Sequence, residues 1–161
     1  MRLYVRTTTS SQGVVFISGK LSKGHAAIND QEFISAFEQG TLPHFPHQAH
    51  LRMAWIYLRA DGWEKGKARI IDGIRHLSVA HGAPQKYHET ITVFWARLVK
   101  HAIDHAPHIT DFHAFADAYP MLFDKKLISK HFSAERLASE QARQGWIEPD
   151  LLPMPALQLD N

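Results

Sequence analysis

The sequence contains no cysteine, so disulfide scaffolds, thiolate zinc sites, iron–sulfur clusters and cysteine nucleophiles are excluded together. It also lacks long apolar runs. Stretches such as Val14 to Ile17 last only a few residues, too short to span a bilayer. Acidic residues are missing from the first 29 positions, where Arg2, Arg6, Lys20 and Lys23 stand alone, whereas the remainder carries 14 basic against 16 acidic side chains. The formal charge of +2 therefore hides a slightly acidic body without a basic stripe, which argues against nucleic acid as a partner. The Ser- and Thr-rich start has the composition of a transit peptide but no apolar core of the length a secretory signal needs, and the expected location is the cytoplasm. There is no glycine-rich phosphate loop, Walker lysine or Gly-x-Ser-x-Gly elbow. His88-Glu89-Thr90-Ile91-Thr92 has Thr where the second histidine of a zincin would stand.

What is present fits one ordinary domain. A chain of 161 residues, 45% apolar and 21% charged, buries roughly two thirds of its unfolded surface and needs no staples. From residue 30 onward, apolar residues recur at three and four and the breaks fall on Gly or Pro, so the expected class is all-α: a single compact bundle of about five to seven helices. Asn29 or Asp30 should cap a first helix that ends at Gly40. A second should run from about His47 to Asp61, stopped by Gly62. A third, near Glu64 to His81, carries Ala68, Ile71, Ile74, Leu77 and Ser78 on one stripe, and a fourth runs from Tyr87 or His88 to Ala106. Shorter helices are expected at Thr110 to Ala118 and within Asp124 to Gln144.

Residues 1–28 read as a non-helical extension or small hairpin, 29–148 as the helical domain and 149–161 as an extended tail. The exit from the bundle should pack on it, because Trp146 and Ile147 would otherwise expose a large apolar surface; Arg143, Trp146, Glu148 and Asp150 are its expected members. A tetratricopeptide reading of Ala54, Tyr57, Gly62 and Ala68 fails: a period of about 34 residues lands on His88 and Ala96, which do not restart the pattern.

Histidine is the unusual residue, with 12 copies spread along the chain. His47 and His50 are three apart at the start of the second helix, so their side chains are neighbours on the face continued by Ala54 and Tyr57. His88 opens the stripe of Ile91, Thr92, Trp95, Leu98 and Ala102. If the two helix starts lie at the same end of the bundle, His47, His50 and His88 converge. Three imidazoles suit a divalent transition metal, namely zinc, iron, manganese or copper, with positions open for water or a small molecule. The dipole of a helix start disfavours a cation, so a carboxylate is needed nearby; Glu89 is the expected ligand, outer-shell partner or catalytic base, with Asp124 as substitute.

The expected function is thus a metal-binding protein, extending to a metal-dependent enzyme acting on a small molecule. Two other readings stand beside it: a metal-free pocket for a small anion, and an interaction module whose histidines are structural. His101 and His105 could clip a metal on a helix surface, but with His108 and His113 they lie toward a helix C-terminus beside Asp104, Asp111 and Asp117, where solvated, ion-paired histidines are expected.

Phe45-x-His47-x-x-His50-x-x-x-Ala54-Trp55-x-Tyr57-Leu58, followed by Tyr87-His88-Glu89-Thr90-Ile91-Thr92 and Trp95, then Leu122-Phe123-Asp124, Ser133-x-Glu135-Arg136-Leu137-x-Ser139 and Trp146-Ile147-Glu148-Pro149-Asp150-Leu151, resembles a family of uncharacterised bacterial helical proteins. The resemblance covers about residues 30–155 and implies a bacterial, single-domain, all-helical protein; it implies no reaction. Residues 1–28 fall outside it, as a private addition or an upstream start.

Overall fold

The computed structural model describes residues 29–157, and the expected N-terminal hairpin or extension lies outside them. The described residues are all-α, with seven helices, short 3-10 turns and no strand. None of these helices is long and apolar enough to cross a membrane. Helix α1 (Asp30–Glu38) starts on a capping box, in which the Asn29 side chain accepts from the Glu32 N–H and the Glu32 carboxylate accepts from the Asn29 N–H. It ends in a Schellman pair, Thr41 N–H to Ala36 C=O and Gly40 N–H to Phe37 C=O.

Helix α2 (His47–Ala80) is a hairpin folded at Gly62. Gly62 has φ 69° and ψ −167°, a region that is essentially glycine-only. In a straight helix nine residues would span about 13.5 Å, yet a Cβ on Gly66 would stand 3.0 Å from the Tyr57 carbonyl oxygen. The second arm therefore returns along the first. Arg69 fastens the fold, lying over the Tyr57 ring at 4.0 Å and pairing with Asp61 and Glu38.

The buried side of the returning arm is Trp63, Gly66, Ile70 and Leu77, with Gly73 against the Phe37 ring. This corrects the expected stripe: Ala68 and Ser78 are not core residues. Glycines supply no apolar signal, yet Gly66 and Gly73 are positions where Tyr57 and Leu58 of the first arm and Phe37 of α1 come within 3.1 Å of where a Cβ would stand.

Helix α3 (Glu89–His105) makes its largest interface with α2 and is the central element; Val93, Phe94, Ala96, Val99 and Ala102 are buried along it. Phe94 touches the rings of Trp95, His131 and Phe132, so one fully buried aromatic joins α3 to the C-terminal half. That half is built from short helices: α4 (Phe112–Ala118), α5 (Ile128–His131), α6 (Ala134–Ala138) and α7 (Glu140–Gln144). Asp111, Ser133 and Ser139 cap α4, α6 and α7 with their side chains.

Beyond α7 the chain is irregular but tied down. The buried Thr90 hydroxyl donates to the Gly145 carbonyl and accepts from the Ile147 N–H. Asp150 accepts from the N–H and hydroxyl of Ser133, which hold its carboxyl below the usual aspartate range, and Arg136 donates twice to the Glu148 carbonyl. Trp146 lies edge-on to Phe132 and under the Arg97 guanidinium. Arg143 donates to the carbonyls of Gln85 and Tyr87, so the expected closing segment is packed on the bundle.

Candidate functional site

The two helix starts do lie at the same end. His50, in the first turn of α2, and His88, the N-cap of α3, line one cavity of about 150 Å³ between the arms of α2 and the start of α3. Its other walls are mostly apolar, with Met53, Ile70, Ile74 and Trp95 among them, and Lys86 and Tyr87 stand with His88 on the approach to α3. A second cavity, about 280 Å³, shares His50, Ile74, Lys86 and Tyr87 and extends toward His81. A third, about 380 Å³, is bounded by His47, His50, Trp95 and Lys125. His50 belongs to all three.

The ring of His50 is held in one orientation. It packs against Phe45 at 4.3 Å between centroids, and its Nδ1 lies 3.1 Å from the Pro46 carbonyl. A carbonyl only accepts, so Nδ1 carries the proton and Nε2 keeps a lone pair, for which the described residues provide no partner. Burial pushes the His50 pKa below the ordinary histidine value; the Pro46 bond opposes this, and His47 and Lys125 add to it. His47 is lowered for the same first reason. Its Nε2–H donates to the Leu122 carbonyl at 2.8 Å, and its ring stands edge-on to Trp95.

His88 is committed at both nitrogens. Nε2–H donates to the Leu137 carbonyl at 2.9 Å, and Nδ1 accepts from the Ile91 N–H at 3.3 Å, so the ring caps α3 and ties it to the end of α6. Glu89 follows it as the first residue of α3 but accepts from the Tyr87 hydroxyl and pairs with Arg75 at 2.9 Å. The Tyr87 pKa is pushed above the ordinary tyrosine range, by burial and then by Glu89. Asp124 caps the turn after it, accepting from the Lys126 N–H. The structure thus brings His47, His50 and His88 to one end, while Glu89 and Asp124 are engaged elsewhere. Among the described residues no group of three or more histidine, aspartate or glutamate side chains is arranged to hold a metal ion.

Lys86 and Lys125 are site residues the sequence did not single out. Among the described residues they are the only formally charged side chains lining the three cavities, and no carboxylate of those residues joins them. The one available signal for Lys86 was its place directly before the Tyr87-His88 pair.

Fold and site together define an all-helical bundle with a histidine-centred cavity group at one end. No family model, curated protein or solved structure matches the chain.

Proposed function

We propose that this is a small-molecule-binding protein of the bacterial cytoplasm, whose site is the cavity group around His50 and whose ligand is a small organic anion. The observation that carries the reading is the charge of the lining: two lysines, no carboxylate and a neutral imidazole. An anion gains from Lys86 or Lys125, whereas a cation in any of the three cavities would sit beside one of these lysines with no carboxylate in the lining to compensate. The apolar walls formed by Met53, Ile70, Ile74 and Trp95 favour a ligand with a hydrocarbon or ring body. His50 Nε2 would accept from an O–H or N–H on that body.

The second reading keeps a divalent transition metal, zinc, iron, manganese or copper, on His47, His50 and His88, with Glu89 as base. It is favoured by His47 and His50 bounding one cavity. It requires His88 to release either the Leu137 carbonyl or the α3 cap, and Glu89 to leave Arg75.

Thermal shifts of tag-free protein with a panel of aliphatic and aromatic carboxylates and phosphate monoesters, before and after EDTA treatment, separate the two. At a hundredfold excess over the dissociation constant a bound ligand stabilises by about 2.7 kcal/mol, a rise of roughly 5–10 °C for a chain of this size. The anion reading expects such a rise with one chemical class, unchanged by EDTA and reduced in Lys86→Met or Lys125→Met. A fall in melting temperature on EDTA alone, absent in His50→Gln, would replace it by the metal reading. No rise with any class and no response to EDTA would leave the histidines structural.

A further inference from the structure

At the opposite end of α3, the His101 and His105 rings lie 4.1 Å apart between centroids, inclined by 43°. His101 Nδ1 is 3.2 Å from the Ala156 carbonyl and His105 Nδ1 is 2.8 Å from the His101 carbonyl. Carbonyls only accept, so both rings carry their proton on Nδ1. In the neutral ring Nε2 then holds the lone pair, and the described residues provide neither Nε2 with a hydrogen-bond partner. Of the aspartates expected beside them, Asp104 pairs through Oδ1 with the buried Lys100 and Asp111 caps the N-terminus of α4, and neither bonds to His101 or His105.

We propose that His101 and His105 form a second, independent site, a two-histidine clamp for a divalent transition metal, with Cu(II) bound most tightly and Ni(II) next. Two imidazole nitrogens bound side by side at about 2 Å from one ion stand about 3 Å apart, so their rings must be neighbours. The four-residue spacing and the ring separation meet that condition. A carbonyl on each Nδ1–H is the outer-shell arrangement that orients a ligating imidazole and leaves Nε2 to face the metal. The C-terminal end of the α3 dipole carries partial negative charge, which favours a cation here, whereas the positive ends at the helix starts disfavour one. With two protein ligands and water in the remaining positions, tetragonal Cu(II) is the best match and the ordinary affinity order places Ni(II) behind it.

The test is titration of the full-length, tag-free protein with Cu(II), followed by calorimetry and electron paramagnetic resonance. One equivalent should bind in the micromolar range with a tetragonal spectrum and hyperfine structure from two nitrogens. Loss of an outer-shell partner alone costs about tenfold or more in metal affinity, so His101→Asn and His105→Asn should each cost at least that, and the double variant no more than the first step. Asn at 101 keeps an N–H for the Ala156 carbonyl, and circular dichroism of each variant checks that the fold is retained. His47→Gln with His50→Gln should leave this equivalent in place. The proposal is overturned if Cu(II) fails to bind, if affinity survives both Asn variants, or if it follows His47 and His50 instead.

Discussion

Among the described residues, seven histidines (His47, His50, His81, His88, His101, His105 and His131) donate a ring N–H to a backbone carbonyl. Five of these bonds reach a segment at least 21 residues away, so much of the histidine content stitches helices to loops. A ring of this size fills apolar space and still offers a donor, which Lys or Ser cannot combine. His88 carries the heaviest structural duty. His88→Ala would orphan the Leu137 carbonyl and remove the α3 cap, a cost of about 2–4 kcal/mol. His88→Asn should recover about 1 kcal/mol by restoring the cap alone. Urea midpoints of the three proteins measure this. The inward direction of His88 was legible in its stripe, and it is buried. Its partner was not, because Leu137 lies 49 residues further on and its carbonyl leaves no trace in side-chain identity. His47 and His50 add a pH dependence. Their folded pKa values are lowered from 6.5, so below that pH the unfolded chain binds more protons. Stability from this source is complete above about pH 6.5 and falls as pH drops toward the folded values, below which the slope vanishes. Melting temperatures across pH 4–8, compared with the His47→Gln, His50→Gln protein, should show that slope only in the parent.

At the scale of elements, helix ends were legible wherever a side chain or glycine marks them, as at Asn29, Gly62 and Gly82. The reversal at Gly62 was not, since a stop signal does not say where the next helix goes. Its direction is set by close packing of Gly66 on Tyr57 and Leu58 and of Gly73 on Phe37. Gly62→Ala should therefore destabilise by roughly 1–3 kcal/mol through its backbone conformation alone. Gly73→Ala acts by another route: its Cβ would fall 2.4 Å from the Phe37 ring, which must move. Denaturation of the two variants singly and with Phe37→Leu distinguishes these causes. The smaller residue should rescue Gly73→Ala and leave the Gly62→Ala cost unchanged. The helices after residue 124 escaped individual prediction because four or five residues cannot display a helical stripe. Ser133 and Ser139 cap α6 and α7, α7 packs against α3, and α5 meets α3 through His131 on Phe94.

At the scale of the whole molecule, the last described residues close the bundle on the element that opens its candidate site. Thr90 is the junction: it sits two residues after His88, is fully buried, and has its hydroxyl shared between Gly145 and Ile147. The Arg143 guanidinium joins the same place by holding the carbonyls of Gln85 and Tyr87, on either side of Lys86. Removing residues 145–161 would strip the cover from Phe132, leave the Thr90 hydroxyl without its two partners and free Arg97 from Trp146. The lost Trp burial is worth about 2 kcal/mol and the orphaned Thr90 hydroxyl about 1–3 kcal/mol. Together they correspond to a fall of roughly 6–20 °C in melting temperature for a domain of this length. Thr90→Val separates the two contributions, since it keeps the shape of the side chain and removes only its hydrogen bonds. It should lower the melting temperature by less than the truncation does. Because Arg143 holds the turn that carries Lys86, and Thr90 ties the segment directly after Arg143 to the start of α3, both changes should weaken ligand-induced thermal shifts at the His50 cavities. A truncated protein with unchanged melting temperature would show that the closing segment is not coupled to the core.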